Sequence, residues 1–276
     1  MSNHNNRKRH INEEKRKQHM EQRKKKNKRT SKGRFGLVST LILILAIGVF
    51  IYSAVQLFSI FSEYHQGKKE YDQIKTLAIK EKDKDKKTFS VDFNALKEIN
   101  PDIVAWIRFD EPAEISYPVV QGKDNAEYLH RTFQENDNKL GTLFVDVGNA
   151  ADFTGKNTFI YGHNMKNGTM FAKLLEYKQT DFYNQHPFFY IYTPDGKATK
   201  YKVCSAAVIK DDSELYRISY DTTEAWMEYL NLMKQTSSNK EGIVFNESSQ
   251  LVSLSTCTNV ADNERFLVQG VKIGKE

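Results

Sequence analysis

The residues with the clearest chemical potential lie near the C-terminus, where one predicted strand ends at Cys257 and another begins at Arg265. The polar residues 258–264 predict a seven-residue connection between two antiparallel strands. Cys257 and Arg265 would then face each other, because directly opposed Cβ atoms in such a pair lie about 4.5–5.5 Å apart. A neighbouring cation favours the thiolate, which is the nucleophilic form of cysteine, and a guanidinium also binds an oxyanion. The pair therefore predicts nucleophilic chemistry at a thiol.

The strand that ends at Cys257 has alternating side chains. Val252 and Leu254 fall on one face, and Ser253, Ser255 and Cys257 fall on the other. This alternation predicts that the thiol lies outside the apolar layer of the fold.

A general acid and base must accompany the thiol, and the best-placed histidine is His163. It follows the short β-branched and aromatic stretch Asn157-Thr-Phe-Ile-Tyr161, then Gly162, and it precedes a polar turn. Functional side chains often stand at such strand ends. A lone histidine is more often structural, and the other six match no catalytic pattern: His4, His10, His19, His65, His130 and His186.

The sequence Ser253-Leu-Ser-Thr-Cys257 followed by Arg265, with Tyr161-Gly-His163-Asn-Met upstream, resembles the sortases, and class B most closely. These proteins are cysteine transpeptidases of Gram-positive cell surfaces. The similarity runs from about Ala105 to Val271. It includes three further stretches: Ile115-Ser-Tyr-Pro-Val-Val-Gln121, Asp124-Asn-Ala-Glu-Tyr-Leu129 and Gly141-Thr-Leu-Phe-Val-Asp146.

The resemblance implies roles for particular residues. Cys257 would be the nucleophile, His163 the acid and base, and Arg265 the oxyanion ligand. Substrate contacts would come from Asn125, Leu129, Tyr161, Tyr216 and Ser255. Each of these five has a plain alternative in a turn or in packing, and Arg217 stands where an apolar residue is expected. Arg265 has the alternative of a surface charge paired with Asp262 or Glu264.

The resemblance also implies the reaction and its partners. A surface protein with a C-terminal sorting signal would be cleaved after Thr through a thioester and transferred to a peptidoglycan amine, with hydrolysis as a side reaction. A pilin-polymerising sortase would use the same catalytic residues. A papain-like protease would place Cys before His, the reverse of the order here. An inactive, membrane-tethered peptide-binding module is the remaining alternative.

The N-terminal part has a different composition from the rest. Fourteen Lys and Arg stand against three Glu in residues 1–35, although the whole chain has a net charge of +6. Residues 37–61 carry no charge and would form a helix of about 37 Å, enough to cross a hydrocarbon core of about 30 Å. A nucleic-acid-binding arm and a cleaved signal peptide are the competing interpretations. We favour a membrane anchor with a cytoplasmic N-terminus, and no nucleic-acid partner.

The predicted organisation therefore has four parts. Residues 1–36 form a basic cytoplasmic tail, 37–61 the transmembrane anchor, 62–90 a charged helical stalk and 91–276 an extracellular catalytic domain. Within the stalk, Tyr71, Ile74 and Ala78 are at helical spacing, and residues 81–87 form a solvated charge run.

From residue 89 onward about eight short strands are separated by polar turns, which is typical of a sandwich or barrel. The resemblance selects a mainly β fold with a closed eight-stranded barrel and N-terminal helices. Two helices are expected within it. One covers residues 170–177; the other covers residues 222–234, is capped by Asp221 with Glu224, and carries a stripe of Trp226, Leu230 and Met233.

The two cysteines, Cys204 and Cys257, could pair as a disulfide outside the cell. Cys204 lies in an apolar stretch where a free cysteine behaves as a small hydrophobe, so we expect both to be free. No loop of alternating Asp and Asn and no cluster of Cys and His is present in the sequence. We therefore expect neither a metal nor a cofactor.

Overall fold

The computed structural model describes residues 3–81, 89–238 and 243–275. The chain divides into two compact units, Met1–Phe61 and Ser62–Glu276. Helix α1 spans Asn3–Ala78. Among the described residues, one helical stretch, Val38–Ala78, has the length and apolar composition needed to cross a membrane.

The second unit contains a closed β-barrel. Its eight strands run in the spatial order β10-β8-β7-β3-β4-β5-β6-β9, and β9 pairs with β10 to close the ring. In chain order the strands are β3 (Ile103–Phe109), β4 (Ser116–Val120), β5 (Leu143–Val145), β6 (Asn157–Tyr161), β7 (Phe188–Tyr192), β8 (Ala198–Lys210), β9 (Leu251–Cys257) and β10 (Glu264–Lys275). Each corresponds to a predicted strand, and the predicted barrel is confirmed.

Several short elements were not predicted. Strand β1 (Ile79–Glu81) pairs with β2 (Phe89–Val91), and helix α2 (Phe93–Ile99) follows, capped by Asp92. Helix α3 (Thr180–Gln185) precedes β7. These elements are six or seven residues long or shorter, so their sequences carry little periodic signal. Apart from Glu81, the predicted charge run over residues 81–87 lies outside the described residues.

The predicted short helix over residues 170–177 is present but begins two residues later than expected. The structure has a 3₁₀-helix at Ala172–Lys178. Met170 cannot begin a helix because its φ is +57° and it forms a β-bridge with Asn164. Residues 164–170 therefore make a hairpin-like loop that turns at Gly168, where φ is +81°.

The later helix, α4 (Thr223–Thr236), lies between β8 and β9 as expected. Its predicted cap was wrong by one residue. Thr222, not Asp221, is the last extended residue, and its hydroxyl accepts a hydrogen bond from the Ala225 amide at 3.1 Å. The predicted stripe of Trp226, Leu230 and Met233 is buried.

The barrel has two apolar layers. Val252 and Leu254 belong to the interior, whereas Leu251 belongs to a second cluster on the outer wall beneath α4. Ser253 and Ser255, on the other face of β9, are buried as well. Cys257 at the strand end is half-buried and belongs to neither apolar cluster, as expected of the thiol. Ser253 accepts from Gln269 at 2.8 Å and donates to the Asn157 side-chain oxygen at 2.7 Å, so its hydroxyl is satisfied without water.

Substituting Trp226 by Ala tests how firmly α4 covers the outer wall. The ring is almost fully buried and stacks on Tyr229 at 5.6 Å. Removing it should lower the free energy of unfolding by about 3–5 kcal/mol, because a cavity replaces the ring. Urea denaturation of the Ser62–Glu276 unit measures the change. Leu232→Ala, on the exposed side of the same helix, should cost far less; equal losses would show that α4 is loosely docked.

The C-terminal turns of α1 hold a loop of the barrel in place. The predicted apolar positions Tyr71, Ile74 and Ala78 are buried. The Tyr71 hydroxyl donates to the Gly141 carbonyl at 2.5 Å and lies 3.1 Å from the Thr142 hydroxyl. The buried Glu70 carboxylate accepts a hydrogen bond from the backbone N–H of Gln134 at 3.0 Å. Through these bonds the helix fixes the segment that carries one wall of the groove described next.

Candidate active site

Cys257 and Arg265 lie directly opposite each other at the ends of β9 and β10. The antiparallel register pairs Cys257 with Arg265, and then Thr256 with Phe266. This is the arrangement predicted from the seven-residue connection. Both cysteines of the chain lie within the described residues, and they do not form a disulfide with each other. The buried Cys204 thiol donates to the Gln269 carbonyl at 3.2 Å. It packs as a small buried group on β8, which β10 separates from the strand of Cys257.

His163 reaches the same edge of the barrel because β6 runs parallel to β9. The register pairs Tyr161 with Ser255, and the Gly162 amide continues the ladder to the Ser255 carbonyl at 3.1 Å. His163 and Cys257 each follow their strand's paired residue by two positions. Gly162 is required by space, since a Cβ there would lie 2.3 Å from the Leu143 side chain. Because β6 and β9 are parallel, the imidazole and the thiol lie at the same end of the barrel.

A groove of about 240 Å³ contains all three groups. Its walls are formed by the ends of β5, β6, β9 and β10 and by the segment before β5. The lining residues are Asn125, Leu129, Thr142, Phe144, Tyr161, Gly162, His163, Ser255, Thr256, Cys257 and Arg265. The lining is mostly apolar, with polar groups at defined positions, as in binding sites for small molecules and peptides.

The His163 ring is held at one nitrogen. Its Nε2 lies 2.7 Å from the Leu129 carbonyl oxygen. A carbonyl oxygen only accepts, so Nε2 carries a hydrogen in both the neutral and the charged ring, and Nδ1 is left to exchange a proton. Burial lowers the pKa of His163; the Leu129 carbonyl opposes that effect, and positive charge on His130 adds to it. Near neutral pH the ring is therefore mainly neutral.

The loops around Cys257 are tied together by two asparagines. The Asn164 side chain donates to the Cys257 carbonyl at 2.9 Å, and the Asn259 side chain donates to the Asn164 carbonyl at 2.9 Å. Asn259 has a φ of +59°, a conformation that asparagine tolerates better than most residues. These bonds join the loop after His163 to the loop after Cys257.

The Arg265 guanidinium is oriented by its own loop. Nη1 donates to the Asp262 carbonyl at 2.7 Å and to the Glu264 carbonyl at 3.0 Å, and Nη2 lies 3.7 Å from the Asp211 carboxylate. The expected alternative, pairing with the Asp262 or Glu264 carboxylates, is thus replaced by bonds to their backbone oxygens. A guanidinium has five N–H donors, so these contacts leave donors for a bound anion.

Asn125 and Tyr161 meet at a carboxylate. Both donate to Oδ2 of the buried Asp146 at 2.9 Å, and the Asn125 side-chain oxygen accepts from the Val147 amide at 2.9 Å. Burial and the Asp146 charge raise the pKa of Tyr161, so its hydroxyl stays a donor. The two predicted substrate-contact residues are therefore locked into one wall of the groove.

The remaining predicted contacts differ in exposure to the groove. Leu129 lines it and also supplies the carbonyl that holds His163. Ser255 lines it but is almost fully buried, and its hydroxyl lies 2.6 Å from that of Tyr216. Tyr216 stands behind Ser255, 6.4 Å from the Tyr161 ring. Arg217 points elsewhere and pairs with Glu214 at 2.7 Å.

The sortase-domain family profile matches residues 111–273, which contain the whole groove. The chain belongs to the sortase family. It is 35% identical over 184 residues to sortase B of Listeria monocytogenes serovar 1/2a, covering 65% of this chain and 73% of that protein.

Solved structures place it in class B. The X-ray structure of Clostridium perfringens sortase B matches with a TM-score of 0.62 at 32% identity, over 66% of this chain and 100% of that one. A Staphylococcus aureus sortase B–substrate complex matches with a TM-score of 0.62 at 27% identity, over 66% and 84% of the two chains. This chain is accordingly a class B sortase, a cysteine transpeptidase.

Sequence reasoning missed three residues of this sortase's site. Asp146, which bridges Asn125 and Tyr161, closes the stretch Gly141-Thr-Leu-Phe-Val-Asp146, and its place at a strand end was the available signal. Asn164 follows His163 directly. His130 was set aside because it matched no pattern, yet its ring stacks on that of His163 at a centroid distance of 5.9 Å. Over the described residues, no group of three or more His, Cys, Asp or Glu side chains is arranged to hold a metal ion.

Asp146→Ala should weaken peptide cleavage while the barrel stays folded. The substitution leaves the Asn125 amide and the Tyr161 hydroxyl without their shared acceptor. Losing hydrogen bonds to a charged group costs about 1.5–3 kcal/mol, so we expect kcat/KM to fall roughly 10–100-fold. The matched control is Asp152→Ala, which removes an exposed carboxylate that accepts hydrogen bonds from the neighbouring Thr154. Equal kcat/KM values for the two variants would show that the hydrogen bonds to Asp146 do not contribute to peptide cleavage.

Proposed function

We propose that this sortase cleaves a C-terminal sorting signal after Thr through a thioester on Cys257 and transfers the surface protein to a peptidoglycan amine. The observation that carries the proposal is the register that opposes Cys257 to Arg265, with His163 delivered to the same groove by the parallel β6–β9 pair. A substrate complex among the related sortase B structures supports a peptide ligand.

In the first half-reaction the Cys257 thiolate attacks the Thr carbonyl carbon, so a C–S bond forms and the oxygen becomes negative. The guanidinium of Arg265 stabilises this oxyanion. The Thr–X amide bond then breaks, and the charged His163 gives its Nδ1 proton to the leaving amine. Because burial lowers the pKa of His163, the charged ring is a stronger acid towards that amine than a solvent-exposed histidine would be.

In the second half-reaction an incoming amine attacks the thioester. Its proton passes to Nδ1 of His163, the C–N bond forms, and Cys257 leaves as thiolate. The lowered pKa keeps the ring neutral near pH 7, which is the form needed for this base role. Water in place of the amine gives hydrolysis as the side reaction.

Cleavage of a panel of quenched sorting-signal peptides tests this function. The panel should contain relatives of Asn-Pro-X-Thr-X and of Leu-Pro-X-Thr-Gly, each measured with and without added amine. We expect cleavage between Thr and the next residue and an amine-dependent product. A folded enzyme with a free Cys257 thiol that cleaves no peptide would instead support a binding module.

Arg265→Ala should lower kcat by about 10²–10³-fold, the usual effect of removing one oxyanion donor. Arg265→Lys should recover only part of this loss, because an ammonium cannot reproduce the fork held by the Asp262 and Glu264 carbonyls. The control is Arg217→Ala, which removes an arginine paired with Glu214. An Arg265→Ala enzyme with wild-type kcat would remove Arg265 from the mechanism.

We also propose that residues 37–61 anchor the enzyme in the cell membrane, with the basic residues 1–36 cytoplasmic, the stalk of residues 62–90 outside and the catalytic residues 91–276 extracellular. The apolar stretch of α1 and the adjacent positive charge support this orientation. Protease added to sealed, right-side-out vesicles should remove a C-terminal epitope and spare an N-terminal one. Loss of both epitopes only after detergent treatment would contradict the orientation.

A further inference from the structure

Two imidazole rings stand side by side in this sortase. The rings of His130 and His163 are nearly parallel, with an interplanar angle of 16° and a centroid distance of 5.9 Å. His130 is exposed and His163 is half-buried. His130 directly follows Leu129, whose carbonyl holds Nε2 of His163. One short segment therefore bonds the edge of the catalytic ring and places a second ring beside it.

The segment that presents His130 is itself well fixed. The Asn138 amide donates to the His130 carbonyl at 2.9 Å, and the Thr142 amide donates to the Tyr128 carbonyl at 3.0 Å. The Thr142 hydroxyl donates to the Arg131 carbonyl at 2.8 Å. His130 is consequently presented by a backbone that is bonded on both sides of it, and its Cα has a defined place beside the groove.

We propose that His130 is a positioning residue of the catalytic site, whose ring keeps the His163 imidazole in its plane and lies close enough for its charge to act on that ring. The proposal rests on the role of His163 as acid and base. Two charged rings at this distance repel each other, and positive charge on His130 lowers the pKa of His163.

The other groups around His163 are distributed over several elements. Cys257 lies on β9, Arg265 on β10 and Tyr161 on β6, all lining the same groove. Beside His130 in the chain, Arg131 pairs with Glu127 at 3.1 Å, so those two charges largely offset each other. Among the causes that shift the pKa of His163, the one side chain is His130; the others are burial and the Leu129 carbonyl.

The test is a histidine titration by NMR on the full-length enzyme labelled with ¹³C at histidine Cε1, with His163→Gln used to assign the His163 signal. In His130→Gln, which has neither ring nor charge, the His163 midpoint should move to higher pH than in the wild type. His130→Phe should also raise the midpoint, but it should keep kcat closer to wild type because a ring still lies beside His163. His186→Gln, a histidine that packs on Phe182 elsewhere in the domain, should leave the midpoint unchanged.

An unchanged His163 midpoint in His130→Gln would overturn the proposal, and so would equal kcat values for the Gln and Phe variants. The titration does not depend on turnover. A fully active His163→Ala enzyme would refute the role of His163, and this result is separate from a failure of the His130 titration.

Discussion

Cys257→Ala is expected to reduce peptide cleavage to the background rate, a loss of roughly 10⁴-fold or more, because no other group at the groove can form the thioester. The fold should survive the change. Cys257 is the last residue of β9 and is only half-buried, so removing its sulfur creates little cavity. Mass spectrometry of the intact enzyme with a slow substrate should show an acyl adduct in the wild type and none in the variant.

Cys204→Ser is the matched control for this experiment. It keeps a donor for the Gln269 carbonyl and changes a thiol that is buried within the second apolar cluster. We expect it to retain cleavage and to form the same adduct. An adduct that persists in Cys257→Ala and disappears in Cys204→Ser would show that Cys204, and not Cys257, is the nucleophile. That result would contradict the proposed mechanism.

His163→Ala is expected to lower kcat by about 10²–10⁴-fold, the usual contribution of a general acid and base. Both half-reactions lose their proton carrier, so the burst of first product should slow together with steady-state turnover. The measurement is rapid-quench kinetics with and without added amine, and His186→Ala serves as the control. Full activity of His163→Ala would refute the assignment of this residue.

The pH dependence provides a second readout for His163. Burial lowers its pKa below the ordinary histidine value of about 6.5. The unfolded chain therefore binds more protons than the folded one as pH falls through the window just below that value. The contribution of this residue to stability is thus lost on acidification. His163→Gln should flatten that part of the stability profile in urea titrations at successive pH values.

Much of the site follows from local pattern. The alternation of Leu251–Cys257, the polar connection after it and the return at Arg265 are enough to predict the strand pair and its register, because an antiparallel hairpin fixes which residues face each other. The eight barrel strands were also visible as short β-branched and aromatic runs. The prediction that those strands close into one barrel came from the resemblance to sortases, since the number of strands alone is also compatible with a sandwich.

Contacts between distant segments were decided by the tertiary structure. No sequence pattern indicates that β6 lies parallel to β9, yet that pairing brings His163 to Cys257. The link from Asn125 through Asp146 to Tyr161 joins three separate segments, so spacing along the chain carries no signal for it. The burial of Ser253 and Ser255 could not be predicted for the same reason, since period-2 alternation cannot show that α4 covers the outer wall.

The His130–His163 pair also separates what the local sequence determines from what the tertiary structure decides. The sequence by itself determined that a thiol, an imidazole and a guanidinium occur at strand ends, because residue type and strand period are local properties. Only the folded chain decided that a second imidazole lies beside the first, since thirty-three positions separate them in the sequence and the closed barrel brings their ring centroids to 5.9 Å. Proximity of this kind depends on the packing of whole strands, and the chemistry of the groove depends on that proximity.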